Sequence, residues 1–313
     1  MATITSPKKL LFKKKFGYDN LAGIILTLPA FTMLVLFVLV PFVTAIFLSF
    51  YNIRLEGEHA PTFLGFEQYR RILFDPDLSP IFYKSLMNNF TFALMVVPAQ
   101  TGLAVALAIM LNQKLRGMAI YRTFFFMPVV FPMSLVAVIW SLMYSRDNQG
   151  MINAALSAIS GGLIQPIDWL GDPNIALISI AIMSIWAGVG FQMVIVLAGL
   201  QEIPAELYEA ASIDKAGVWS QFRHVTLPGL RNTLVFVIMI TTIFSLRLFD
   251  QIYILTQGGP LDSTSTVMYQ AVTSASVEGN IGKGSAMTVV FVVIIIILTF
   301  VQRALLRQEK EIK

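Results

Sequence analysis

Residues 20–53, between Asp19 and Arg54, form a run of 34 residues without a single charge, and other long uncharged runs follow it. A helix of about 20 apolar residues, rising about 1.5 Å per residue, crosses the hydrocarbon core of a bilayer. The next runs are residues 85–113, residues 123–145 with Pro128 and Pro132, and residues 173–201. A fifth starts at Asn232 and meets Arg247 and Asp250 near its end, and the sixth is residues 284–302. None alternates in the ten-residue segments of an outer-membrane barrel. The fold class expected is therefore all-α, a polytopic membrane protein with six transmembrane helices. Pro29 and Pro41 are expected to kink the first of them.

Composition agrees. Hydrophobic residues make up 56% of the chain and charged ones 13%, against about 25% charged in soluble domains, which excludes a water-soluble enzyme. The net charge of +4 does not point to nucleic acid, because the basic residues are dispersed and form no dense stripe. There is no cysteine, which excludes disulfides, thiol catalysis and cysteine-bound metal. His59 and His224 are the only histidines, so no metal site is expected.

The few charges carry the topology. Lys8, Lys9, Lys13, Lys14 and Lys15 precede the first run, whose length exceeds that of a cleaved signal peptide and fits a retained anchor. With both termini cytoplasmic, the inner segments hold 15 basic and 7 acidic residues and the outer segments 7 and 11. That excess of Lys and Arg on the inside sets the orientation. The acidic outer loop after the first span includes Glu56, Glu58, Glu67, Asp75 and Asp77. The domain reading is a basic cytoplasmic segment at 1–19, a transmembrane domain at 20–302 and a cytoplasmic tail at 303–313.

Several chemistries are missing. No histidine lies in a run, so an intramembrane protease has no nucleophile–base pair. Coupled carriers and voltage sensors usually place ionisable groups at membrane depth. Here only Arg247 and Asp250 come near, either as an interfacial pair at the end of the fifth span or as a gate or substrate contact. The string GNIGKGS at 279–285 lacks the glycine spacing and the final Ser or Thr of a phosphate loop. No cofactor is expected on this chain, and it does not read as an enzyme.

The largest inner loop, residues 202–231, has local structure. Pro204 suits a first helical position, and Glu206 favours the positive end of a helix. Ile203, Leu207, Ala210 and Ala211 then share one apolar face. A second amphipathic piece carries Val218, Trp219, Phe222 and Val225, and Pro228 with Gly229 is expected to end it. A docking element for a partner and a hairpin packed on its own bundle both fit this periodicity.

The same residues carry a resemblance. Glu209, Ala210 and Ala211, then Lys215, Val225 and Leu227-Pro228 keep the spacing of the EAA loop of binding-protein-dependent ABC transporter permeases. Lys215 stands where that pattern has glycine and Val225 where it has isoleucine, and nearby Gly217 is expected to supply the backbone freedom instead. FLGFEQYRRILFDP, LNQKLRGMAIYRTFFFMP, WLGDPNIAL, IWAGVGFQMVIVLAGLQEIP and LTQGGPLDSTSTVMYQ are similar to the carbohydrate branch of that family, the maltose and glycerol-phosphate type. The resemblance runs from about Leu28 to Gln302.

The resemblance implies the permease subunit of an ATP-driven importer for a sugar or sugar-like solute, in a bacterial or archaeal cytoplasmic membrane. It implies a second permease as heterodimer partner, two copies of an ABC ATPase that hold the ATP and Mg, and an extracytoplasmic solute-binding protein, besides membrane lipid. Glu209, Ala210, Ala211, Asp214, Lys215, Gly217, Leu227 and Pro228 would form the ATPase-coupling site. Ser184, Gly188, Phe191 and Gln192, with Ser245 and Phe249, match the stretches by which maltose-type permeases contact sugar. Helix packing explains Ser and Gly at such positions equally well. Asn89 and Gln100 are weaker pathway candidates, and Trp186 and the span methionines read as core. The turn at 258–260 would face the binding protein. The alternative is a stand-alone channel or secondary carrier.

Overall fold

Lipid offers no hydrogen-bond partner to a bare peptide group, so the uncharged runs fold as helices that satisfy their own backbones. The computed structural model describes residues 18–55, 60–113, 115–147 and 150–306. The N-terminal lysines, Glu56, Glu58, His59, Lys114 and the tail from residue 307 lie outside the described residues. Two compact units divide the chain, residues 1–47 and 48–313.

In the first unit, α1 (Tyr18–Leu34) passes through a π-helical turn (Val35–Leu39) into α2 (Val40–Leu48). Gly23–Leu48 is apolar enough to cross a membrane as one helix. Of the two prolines expected to disturb it, Pro29 lies within regular α1, and the π-turn stands just before Pro41. Pro41 has no N–H and its ring crowds the carbonyl four residues back, and the wider turn relieves both.

The second unit opens with a small antiparallel ribbon, β1 (Tyr51–Asn52) against β2 (Thr62–Phe63), and α3 (Glu67–Phe74). Arg70 hydrogen-bonds the Glu67 carboxylate at 2.9 Å and Arg71 does so at 3.1 Å. The hydrogen bonds from Arg70, first, and Arg71 hold that carboxyl down at about 2. The pairing therefore persists until the pH falls to about that value. Next come α4 (Ser79–Leu111), α5 (Met118–Phe126), α6 (Met133–Met143), α7 (Met151–Ser160) and α8 (Ala176–Gln201). The cytoplasmic-loop candidate forms α9 (Ala205–Ile213), α10 (Val218–Gln221) and α11 (Leu227–Gly229). The chain then runs through α12 (Arg231–Leu246), α13 (Asp250–Leu255), α14 (Val267–Ser276) and α15 (Ile281–Leu306).

Five helical stretches are long and apolar enough to span, or six if one bent pair counts as a span. That pair corrects the third predicted span. Met118–Val130 and Met133–Met143 meet at 97°, so residues 123–145 do not form one straight helix. Phe131, just before Pro132, is extended at φ −80°, ψ 139°, because a residue preceding proline is driven out of the helical region. The fifth span is also interrupted, with α12 stopping at Leu246 and α13 restarting at Asp250. Arg247 and Asp250 flank this break, both exposed, and among the described residues they do not form an ion pair.

The core is organised along α4. Phe82 and Ala93 share a cluster with residues of α14 and α15, Phe92 and Val96 with residues of α6 and α8, and Ala104 and Ala108 with residues of α8 and α12. Small residues let backbones approach. A methyl group on Gly190 would stand 2.1 Å from the Phe125 carbonyl oxygen, and one on Gly188 would stand 2.3 Å from the Gln100 amide nitrogen. Asn89, fully buried, donates to the Leu246 carbonyl at 3.0 Å and accepts from the Val267 N–H at 3.0 Å. It thus ties α4 to the end of α12 and the start of α14.

Two outcomes test this packing. Asn89→Leu keeps the volume but strands two buried backbone groups, and should lower stability by about 1–3 kcal/mol, read as a lower unfolding midpoint in detergent. Gly190→Ala should destabilise by about 1–3 kcal/mol through overpacking, whereas the same change at Gly102 in α4, whose added methyl meets nothing within 4 Å, should raise the midpoint by the equivalent of about 0.5–1 kcal/mol.

Candidate functional site

The loop between α8 and α12 is a braced pair of short helices. Pro204 is the residue before α9 and has extended ψ 133°, so Ala205 is the first helical residue. Glu206 sits in the first turn, where a carboxylate favours the helix dipole. Tyr208 Oη and Thr226 Oγ1 lie 3.0 Å apart, and Gln221 donates to Ala216 O at 3.0 Å and Ser212 Oγ at 3.2 Å. These bonds fasten α9 to α10 without using the carboxylates. Glu209, Ala210, Asp214, Lys215 and Gly217 are all exposed, with Ala211 half-buried.

The apolar faces expected here are largely open. Ile203 packs on the core beside Gly229, but Leu207 is 50% exposed, Ile213 81%, Val218 87% and Trp219 72%. Trp219 leans on Phe222, their rings 5.3 Å apart. The hairpin is therefore fixed through its polar side and one edge, and presents an apolar surface with carboxylates beside it.

Lys215 corrects the expectation about Gly217. Lys215 itself adopts the left-handed conformation at φ 57°, while Gly217 is extended at φ −68°, ψ 169°, which any residue can adopt. The turn needs its freedom at the position where the EAA pattern has glycine, because the chain reverses there after α9. Pro228 and Gly229 close the second piece as expected: Val218–Gly229 is one helical piece that widens into a π-helical turn (Phe222–Thr226) just before Pro228, which relieves the proline's missing N–H and ring, and it ends at Gly229 ahead of α12. Leu227 is 41% exposed and Pro228 is exposed.

The second candidate set lies at the α8–α12 contact. Ser184 is buried and donates back to Ile180 O at 2.8 Å. Gly188 faces Gln100 of α4. Gln192 is 1% exposed and donates to Thr241 Oγ1 at 2.6 Å, while its own carbonyl oxygen is buried without a partner. Ser245, one helical turn beyond Thr241, is buried with an unpartnered hydroxyl. Asn89 and Gln100 are buried too. Phe191 and Phe249 are half-buried, Phe191 with its ring 6.4 Å from Phe244 and Phe249 stacked at 5.6 Å on Tyr253.

The polar members are thus all buried in the bundle, with only Gly188 and Gln100 of the whole set in close approach, and the aromatic members are half-buried. Sequence spacing placed Ser184, Gly188 and Gln192 on one face but did not show that this face turns inward. Trp186, read as core, is 47% exposed and packs on Trp140 at 5.6 Å. Phe244 and Tyr253 are also about half exposed. Of these, only Tyr253, four residues after Phe249, carried a spacing signal.

The turn after α13 is held firmly. Gln257, Leu261 and Asp262 all have positive φ, which costs about 1–2 kcal/mol each for a non-glycine residue. Asn88 of α4 compensates by donating to Asp262 O at 2.9 Å and Ser265 O at 2.8 Å, and Thr256 Oγ1 and Thr264 Oγ1 lie 2.7 Å apart.

The profile of the family described as "Binding-protein-dependent transport system inner membrane component" matches residues 80–310. The chain is 32% identical over 279 residues to the trehalose/maltose transport system permease protein MalF of Thermococcus litoralis, covering 89% of this chain and 91% of that one. It is 32% identical to the lactose transport system permease protein LacF of Rhizobium radiobacter, covering 94% and 96%. Its fold matches a chain of a bacterial ABC transporter involved in the import of the acidic polysaccharide alginate, with a TM-score of 0.79 at 18% identity over 95% of this chain and 98% of that chain. With its family profile, full-length relatives and all-helical multi-span fold, the chain belongs to the binding-protein-dependent transport system inner membrane components, as a permease subunit of an ABC importer.

Proposed function

We propose that this permease subunit translocates a sugar or sugar-like solute across a bacterial or archaeal cytoplasmic membrane, and that residues 202–231 couple it to a separate ATPase. The observation that carries the coupling role is the exposed, internally braced hairpin of α9 and α10. A rigid helix pair that offers Ile213, Val218 and Trp219 to solvent beside Glu209 and Asp214 is a seat for another protein. Glu209 pairs with a cation on the ATPase, the small side chains of Ala210 and Ala211 allow close approach, and Leu227 with Pro228 carries the motion into α12. Closure of the ATPase dimer on its ATP and Mg then tilts the bundle as a lever between inward and outward states.

The partners in this reading are a second permease, two ATPase copies and an extracytoplasmic solute-binding protein, which meets the turn containing Leu261. The transport systems named for its relatives carry trehalose or maltose and lactose, and that supports a sugar here. The half-buried rings of Phe191 and Phe249 supply faces for sugar stacking. Ser184, Gln192 and Ser245 supply polar groups that become available when α8 and α12 shift. The lysines and arginines are concentrated on one side of the spans, which supports cytoplasmic termini.

In vesicles holding the assembled transporter, Glu209→Lys should abolish substrate-stimulated ATP hydrolysis while membrane insertion is retained. Normal stimulation in that variant would overturn the coupling assignment. Lys215→Gly should relieve the left-handed strain and raise the unfolding midpoint by the equivalent of about 1 kcal/mol, with transport retained. A lowered midpoint would show that the lysine side chain itself stabilises the turn.

A further inference from the structure

The helix α7 has a face that the chain leaves uncovered. It lies between two spans, on the opposite side of the bundle from the α9–α10 hairpin, since α8 separates them. Met151, Ala154, Ala155, Ala158 and Ile159 are all exposed and recur at i, i+3, i+4, i+7 and i+8, one continuous stripe. Leu163, just past the helix, extends it and is 86% exposed, with Ile159 at 85%. From residue 150 to residue 167 the sequence carries no charge. A solvated helix face normally bears several.

The helix is not a loose loop. Asn153, 2% exposed on the opposite face, donates to Ser145 O at 3.1 Å and Ile167 O at 2.9 Å, and accepts from Ile167 N and from the Trp169 indole at 3.0 Å. Gly150 brings the chain so near that an added methyl would stand 2.3 Å from Ser145 O. The stripe is therefore aimed by buried hydrogen bonds.

Ten residues make about 15 Å of helix, too short to cross a bilayer. Only residues 144–150 separate α7 from α6, a bundle helix whose Leu142 is 72% exposed near its end. The stripe thus continues the apolar surface of a span. At its start stands Arg146, 82% exposed, whose guanidinium pairs with Asp168 at 3.4 Å. An exposed face without charge, on a helix too short to span and held by buried polar groups behind it, suits a helix lying in a membrane interface.

We propose that α7 is an interfacial helix, seated with its Met151–Ile159–Leu163 stripe in the outer-leaflet boundary between lipid headgroups and acyl chains. Its occupant is the lipid surface itself. Clamped by Asn153, it holds the ends of α6 and α8 at a set depth while the rest of the bundle moves. This rests on the proposed orientation with cytoplasmic termini and not on which solute the chain carries.

The chain has no cysteine, so single nitroxide labels can be placed at Ile159→Cys and Leu163→Cys, with Asp77→Cys as the solvated reference. The assembled transporter is reconstituted in phosphatidylethanolamine–phosphatidylglycerol vesicles, and collisions with oxygen and with a water-soluble nickel chelate are measured. The expected result is an oxygen-to-nickel ratio several-fold higher at both labels than at the reference. A ratio equal to the reference would overturn the proposal by showing the stripe in water. Suppression of both collisions would overturn it equally, by showing that another protein covers the stripe.

Discussion

The approach of α4 to α8 is the contact on which the rest depends. In lipid there is little hydrophobic drive to bring helices together, so packing of small residues and buried polar bridges must do it. Ala104 and Ala108 of α4, and Gly188 of α8, provide surfaces without bulk. α4 then serves several other parts: it packs against α12, shares a core cluster with α6, holds the turn after α13 through Asn88, and ties α12 to α14 through Asn89. The three non-glycine residues held at positive φ in that turn are tolerable because this network over-determines them.

Opposite that turn, the α9–α10 hairpin solves a different problem. It must be rigid yet leave its outer surface free. It does so by spending Tyr208, Ser212, Gln221 and Thr226 on internal bonds and leaving Glu209 and Asp214 exposed. Lys215 shows that the conformation belongs to the turn and not to the residue type: a non-glycine residue holds a left-handed φ of 57° between two helices.

Much of this was legible beforehand because the bilayer leaves few choices. Uncharged runs long enough to cross became helices, and the residues of the EAA pattern fell on one short exposed hairpin. What misled was local chemistry read without its neighbours. Pro128 and Pro132 marked a disturbance, but only the packing of α5 and α6 turned it into a 97° bend. Gly217 suggested the freedom of the turn, and Lys215 took the left-handed conformation instead. The periodic face of Ser184, Gly188 and Gln192 was correct as a face, yet Gln192 turned inward to Thr241, while Trp186 came to the edge.

By itself the sequence determined the helical, multi-span character of the protein, the candidate coupling hairpin and the distribution of charge about the spans. These follow from the desolvation cost of charges and peptide groups, which acts on each segment independently. Tertiary structure decided which face of each helix is buried, where the third and fifth spans break, and that α7 is clamped with its apolar stripe outward. Those depend on contacts between residues far apart in the chain, such as Asn89 with Leu246 and Gly188 with Gln100, and no single segment contains them.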